Sequence, residues 1–278
     1  MPFKRTDKGK VQYPNGISSE DRRFCRKVFN EMGEYIDVDG DPNAQKELII
    51  ACSGGLDSTV LAHVFAQMCI ISGLKKNRVK LVYVDHGLRN LVELHRDATH
   101  VINLAEMLGF NGEVIKVTLN EGNVQEQARI ARYDALAAMA VQTSSGDYAD
   151  VLLAHHANDV AETKLFQFLT GRKVTGIESN LSWYIKSEHE KDPNPLVPKC
   201  EYTIDFFRPF LNLTRSDLER YARIWNLQWV EDSTNGTNKY TRNRIRHELI
   251  PWIEKNVNPG VINTLVGLHE KEREADDT

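Results

Sequence analysis

Between residues 53 and 58 the chain reads Ser-Gly-Gly-Leu-Asp-Ser, residue types suited to holding an anion. Gly54 and Gly55 remove the side chains that would keep a phosphate from backbone N–H groups, although a Gly-Gly pair also serves as a plain tight turn. Leu56 starts the apolar pattern that follows, and Ser53 and Ser58 carry hydroxyls able to donate to phosphate oxygens. Asp57 is the odd member, because a carboxylate among phosphates needs a Mg²⁺ ion or a ribose hydroxyl between them. Asp159 and Glu162 stand three apart beside His155-His156, which turns both carboxylates to one side of a helix. The pair reads either as helix capping or, with the histidines, as a cation or metal site. The histidines themselves read equally as hydrogen-bonding residues at a strand end. Arg129 and Arg132 share a helical face, as a solvated basic stripe or as partners of a phosphate. Lys239, Arg242, Arg244 and Arg246 form a run without acids from Gly236 to His247, either a solvated helix start or a surface for nucleic-acid phosphates.

These groups can act together only if the fold gathers them. Leu48–Cys52 is a short continuous apolar run, the pattern of a strand buried on both faces. Val60, Leu61, Val64, Phe65 and Met68 follow at helical spacing, so the 53–58 turn joins a strand to a helix start, where backbone N–H groups and the helix dipole attract anions. Further strands are expected at Val79–Val84, Gly112–Thr118, Val151–Ala154, around Ile204–Pro209 and at Leu227–Val230. Helices are expected over Ser19–Met32, Leu91–Leu108 with Gly109 as the stop, Asn123–Val141 with Asn123 and Glu126 as a capping box, from Asp159 to Leu169, and from Thr214 with Asp217 as its box partner. A short helical region ends the pattern near Ile253. Residues 180–200, with Pro193, Pro195 and Pro198 among many charges, read as a long surface loop or a hairpin insertion. Strands alternating with helices predict an α/β fold, a doubly wound parallel sheet. Ligands in such sheets bind beyond the carboxyl ends of the strands, which brings together Ser53–Ser58, Asp85–Arg89 and His155–Asp159.

At 278 residues, the chain is long enough for one large domain or a domain plus an appendage. The expected division is an N-terminal extension at 1–46, a catalytic domain at 47–215 and a small helical segment at 216–278. A hydrophobic content of 41% with 27% charged residues is ordinary for a globular protein. No apolar run approaches a membrane span, and the basic N-terminus has no apolar stretch behind it, which argues against a membrane anchor and a secretory signal. Cys25, Cys52, Cys69 and Cys200 make no C-x-x-C pair, so a reducing cytoplasmic setting, or an equivalent one such as an organelle stroma or a virus-infected cell, is expected. The net charge of −4 argues against a protein that coats nucleic acid generally, but not against local basic patches.

The 53–58 string lacks the Lys-Ser/Thr of a Walker A loop and the G-x-G-x-x-G of a dinucleotide fingerprint. It resembles instead the pyrophosphatase-type loop of the ATP-pyrophosphatase superfamily, whose members split ATP between the α- and β-phosphates. Together with Asp85-His86-Gly87-Leu88-Arg89, Ala128-Arg129, Arg132-Tyr133, Ala154-His155-His156 through Glu162-Thr163, Arg208-Pro209, Glu231-Asp232 and Arg242-Asn243-Arg244-Ile245-Arg246, the chain is similar to the tRNA(Ile)-lysidine synthetases from about Leu48 to Pro251. The resemblance implies an adenine-nucleotide alpha-hydrolase-like, Rossmann-like fold with a small, mostly helical C-terminal extension. It also implies a two-step ligation that uses ATP and Mg²⁺. Carbon 2 of the wobble cytidine in an isoleucine tRNA with a CAU anticodon is adenylated, and free L-lysine then displaces AMP. On this resemblance residues 53–58 hold ATP, Asp57 carries Mg²⁺, and Arg129 and Arg132 neutralise the α-phosphate or adenylate. Asp159 and Glu162 receive the lysine, with His86, Arg132 and His156 around it, and Arg208, Lys239, Arg242, Arg244 and Arg246 contact tRNA.

At neutral pH a lysine amine costs roughly 4–5 kcal/mol to deprotonate, so an acidic group, His86 or His156 must take its proton. This chain departs from the resemblance at Asn158, where relatives commonly carry Asp. The relatives also continue into further domains, so a short form is expected, with a homodimer or another partner as one way of supplying tRNA contacts. Two other readings remain at this stage. One is a related tRNA-thiolating enzyme, which would need sulfur-carrying cysteines. The other is a catalytically idle nucleotide- or tRNA-binding protein.

Overall fold

The protein is described by a computed structural model covering residues 11–32, 47–88, 90–119, 124–143, 149–186, 201–231 and 241–276. Its elements are α1 (Ser19–Asn30), β1 (Leu48–Ala51), α2 (Leu56–Ser72), β2 (Val79–Asp85), α3 (Leu91–Leu108), β3 (Asn111–Lys116), α4 (Val124–Thr143), β4 (Asp150–Leu152), α5 (Ala157–Leu169), β5 (Asn180–Lys186), β6 (Glu201–Phe207), α6 (Arg215–Trp225), α7 (Thr241–Arg244), α8 (Ile250–Asn256) and α9 (Val261–Asp276). A π-helical turn over Ile245–Leu249 joins α7 to α8.

The sheet order is β3-β2-β1-β4-β6-β5, parallel except for the β5–β6 pair. The chain leaves β1 toward β2 and β3, then returns to place β4 on the other side of β1. The order therefore reverses between β1 and β4, and the crevice beyond their carboxyl ends is where such sheets hold ligands. The first core packs α1, α2, α3 and α6 against one face of the sheet, and a second packs α4 against the other. A third gathers α5 with the helices after Thr241. Helix α2 is buried nearly all round, from Leu56 to Cys69, and each of its fully covered Val, Leu, Phe and Met side chains contributes about 1.5–3 kcal/mol. Among the described residues no helix is long and apolar enough to cross a membrane.

Several expected elements differ in the structure. The sheet is mostly rather than wholly parallel, because β5 closes its edge as the antiparallel arm of a hairpin, with Asn180 opposite Phe207. Of the two readings for 180–200, the hairpin therefore holds for Asn180–Lys186, and residues 187–200 lie outside the described residues. Leu227–Val230 is not a strand. Both neighbours of β1 are already taken, so the segment crosses the 53–58 turn instead, and the Val230 N–H donates to the Gly54 carbonyl at 2.9 Å. Helix α9 falls within the expected helical segment at 216–278 but runs beyond the end expected near Ile253, and it packs on α5. The expected cap Asn123 lies outside the described residues, and its partner Glu126 pairs with Arg129 at 3.0 Å.

Candidate active site

The turn after β1 is organised from within. Ser58 is buried, and its Oγ accepts from the Ser53 N–H at 3.2 Å and donates to the Gly55 carbonyl at 3.1 Å. Its hydroxyl thus shapes the turn, while Ser53 stays exposed with its Oγ near the Gly55 N–H. Gly54 has φ +81°, and a Cβ there would meet His100 at 3.4 Å and Val101 at 3.6 Å, so both backbone shape and close packing from α3 call for glycine. Asp57 then stands in the first turn of α2.

Three helices begin at this place. Helix α5 is capped by His156, whose side chain accepts from the Asn158 N–H while Asp159 accepts from the His156 N–H at 3.0 Å. Helix α6 is capped by Thr214 in a reciprocal box with Asp217. The two starts are tied by the Ala157 N–H donating to the Leu213 carbonyl at 2.8 Å and by the Arg215 N–H donating to Asn158 Oδ1 at 2.9 Å. With α2 they aim three positive helix ends at the β1–β4 crevice. Asp57, Asp159 and Asp217 sit in the first turns of the three helices.

A continuous line of charges runs across the crevice. Arg215 Nη1 lies 3.1 and 3.0 Å from the two Asp57 oxygens. His156 Nε2 lies 3.7 Å from Asp57 and 3.6 Å from Asp159. Arg246 then bridges Asp159 at 3.1 Å and Glu162 at 2.6 and 2.9 Å. The π-helical turn carries Arg246 inward, and one turn earlier Arg242 hydrogen-bonds Thr163 on the same flank of α5. Burial acts to lower the His156 pKa, but Asp159 and Asp57 outweigh it and hold the imidazole above its ordinary value. Burial acts to raise Asp159, but His156, His155 and Arg246 keep its carboxyl below the usual range. Glu162 goes the other way, because burial pushes its carboxyl up and Arg246 offsets only part of that. The two acids three residues apart are therefore unequal.

A second, basic group lies beside the first. His155 is pushed down to about 4 by burial, with Arg208 and Arg132 close enough to lower it further. Arg208 is buried, donating to Tyr133 Oη at 3.0 Å and to the Glu178 carbonyl at 2.7 Å. His155 Nδ1 and Arg208 Nε are buried without a hydrogen-bond partner among the described residues, and Arg132 has no carboxylate partner there. Such a cluster of donors suits an anion with several oxygens.

The structure thus joins Asp57, His156, Asp159, Glu162 and Arg246 in one network, with Arg132 and Arg208 beside it. Arg246 and Arg208, expected among tRNA contacts, have their side chains turned inward. Arg129 is exposed on α4, paired with Glu126 and over the Tyr133 ring at 5.7 Å. Arg244 is exposed near Glu248 at 3.7 Å, and Lys239 lies outside the described residues. His86 is half-buried past β2, next to Asp85, which accepts from the Gly87 N–H at 2.8 Å. Sequence reasoning passed over Arg215, although its place directly after the Thr214 cap, on the helix following β6, put it beside the crevice. Among the described residues no group of three or more His, Cys, Asp or Glu side chains is arranged to hold a metal ion by itself. Asp57 fits Mg²⁺ only as a single carboxylate with substrate phosphates completing the shell, a common arrangement for that ion.

Residues 22–253 match the family model of the PP-loop domain. The tRNA(Ile)-lysidine synthase of Solibacter usitatus is 34% identical over 216 residues, covering 78% of this chain and 43% of that protein. The tRNA(Ile)-lysidine synthase of Nostoc sp. is 33% identical over 214 residues, covering 77% of this chain and 56% of that protein. The chain spans about half the length of the curated relatives it matches. Among solved structures, the U34-tRNA thiolase NcsA from Methanococcus maripaludis superposes with a TM-score of 0.64 at 16% identity, over 91% of this chain and 78% of that one, a likeness of fold. With the match running from α1 through the phosphate turn to the Arg246 segment, the chain belongs to the PP-loop domain family of ATP-using proteins.

Proposed function

We propose that this chain carries the ligase centre of a tRNA(Ile)-lysidine synthase. The observation that carries the reading is the unequal pair of half-buried Asp159 and buried Glu162, lying within one line of charged side chains that ends on the phosphate turn at Asp57. In the first step the oxygen on carbon 2 of the wobble cytosine attacks the α-phosphorus of ATP. The bond from that phosphorus to the bridging oxygen breaks, and pyrophosphate leaves with the electron pair. The 53–58 turn and the end of α2 hold the departing phosphates, and Arg132, His155 and Arg208 hold the phosphoryl group that stays. Asp57 is the residue that would hold Mg²⁺, which would supply further charge neutralisation.

In the second step the lysine Nε attacks carbon 2, the C2–O bond breaks, and AMP leaves with that oxygen. Asp159, kept ionised, holds the incoming ammonium. Glu162, whose proton affinity is raised by burial, takes the proton that the amine must lose. The ammonium competes with Arg246 for these carboxylates, so lysine binding moves that arginine. The proposed substrates are ATP, free lysine and an isoleucine tRNA with a CAU anticodon. The test is to incubate the chain with that tRNA, ATP and labelled lysine. Label in the tRNA with matching AMP and pyrophosphate is expected. AMP and pyrophosphate without label would mean a different tRNA-adenylating enzyme, and no ATP turnover would mean an idle binder.

A further inference from the structure

The carboxylate of Asp57 stands where a triphosphate must sit, and like charges repel unless something stands between them. Besides His156 at 3.7 Å, the side chain that meets it here is Arg215, through one nitrogen only, Nη1, at 3.0 and 3.1 Å. Its Nε reaches Glu219 at 3.4 Å, while Nη2 has no partner among the described residues. The head is 42% exposed, but its root is fixed. The Arg215 N–H is held by Asn158 Oδ1 at 2.9 Å, and the preceding Thr214 is locked in its capping box. A guanidinium can bond a carboxylate along one edge and keep further N–H donors for a phosphate along another.

We infer that Arg215 is a pyrophosphate-binding residue of the adenylation site, bridging Asp57 to the β- and γ-phosphates of ATP. In this role it neutralises Asp57 while ATP enters, and it keeps its charge beside the bridging oxygen as the bond to the α-phosphorus breaks and pyrophosphate leaves. The inference rests on the proposed function only in taking the 53–58 turn as a phosphate site; tRNA and lysine do not enter it. Because it concerns the leaving phosphates alone, it separates ligands that carry them from AMP, which does not.

The experiment is calorimetric titration of inorganic pyrophosphate, and separately of AMP, into the full chain at fixed Mg²⁺, for the parent, Arg215→Gln and Arg215→Lys. Melting temperatures establish that each variant is folded. Loss of charge-assisted hydrogen bonds should weaken pyrophosphate binding by roughly tenfold to a hundredfold in Arg215→Gln, with AMP affinity unchanged. Arg215→Lys, which keeps charge but loses the fork, should fall between. Equal loss for pyrophosphate and AMP, unchanged pyrophosphate affinity, or no pyrophosphate binding by the parent would each overturn the inference. Arg215-dependent pyrophosphate binding in a chain that never incorporates lysine would uphold it while removing the ligase reading.

Discussion

Asp57 and Glu162 are both carboxylates of the same network, yet their surroundings ask different things of them. Asp57 is partly open, faces Arg215 and His156, and belongs to the phosphate turn. Glu162 is 2% exposed and meets Arg246 through both oxygens. Asp57→Ala should therefore abolish pyrophosphate release, whereas Glu162→Gln should spare it and cut lysine incorporation, by about a hundredfold if the residue is the proton acceptor. Measuring the two half-reactions separately checks the division, and loss of pyrophosphate release in both variants would remove it. Much of this site was legible in sequence, since the turn, the acid pair and the histidines announce themselves by type and spacing. What was not legible is which arginine meets which acid. Arg246 lies 84 positions from Glu162 in the chain, and only the folded π-helical turn brings them to 2.6 Å. Arg215 is marked in sequence only by its place after the Thr214 cap, and its role follows from a helix start meeting another helix start.

At the scale of elements, α2 and α6 are joined behind the site by a buried polar contact. His63 of α2 shares a 3.0 Å hydrogen bond with Tyr221 Oη of α6 and packs against the Trp225 ring at 4.8 Å. Burial pushes His63 down to about 4, from about 6.5 in the unfolded chain. The unfolded state thus binds the proton first. The stability that depends on neutral His63 is full above pH 6.5 and is lost as pH falls toward 4, by about 3 kcal/mol. His63→Gln, which can hydrogen-bond but not titrate, should flatten the fall in melting temperature over that range. An unchanged acid limb would place the titration elsewhere. The central strands were readable because apolar runs bounded by polar turns leave few alternatives. β5 stayed undecided between loop and hairpin because its alternation of Leu181, Ser182 and Trp183 sits at the head of a charged, proline-rich stretch. Leu227–Val230 misled because its residues suit a strand, while the sheet had no edge to offer it beside β1.

For the molecule as a whole, the N-terminal helix is part of the main body's packing. Cys25, Val28, Phe29 and Met32 are buried in the first core with α2 and α6, and Phe29 meets Tyr221 edge-on at 6.1 Å between ring centres. Arg220 of α6 adds ion pairs to Asp21 at 2.8 Å and Glu20 at 2.9 Å. These pairs are exposed and contribute little, so the apolar face carries the docking. Phe29→Ala should cost about 3–4 kcal/mol in urea unfolding, whereas Glu20→Ala should cost less than about 0.5 kcal/mol. A small loss for Phe29→Ala would mean that α1 is dispensable to the core. Since α6 also carries Arg215, that core reaches one helix away from the phosphate turn.

The π-helical turn at Ile245–Leu249 has a consequence for which changes the chain can absorb over time. An extra residue per turn is what points Arg246 at Glu162, so deleting a residue there other than Arg246 itself would restore ordinary helical winding and turn the arginine by about 100° relative to a flanking helix. Glu162 would then be left buried without its counter-charge. Exchanges of residue type are open to this segment at its exposed positions, but its count of residues is not free to drift.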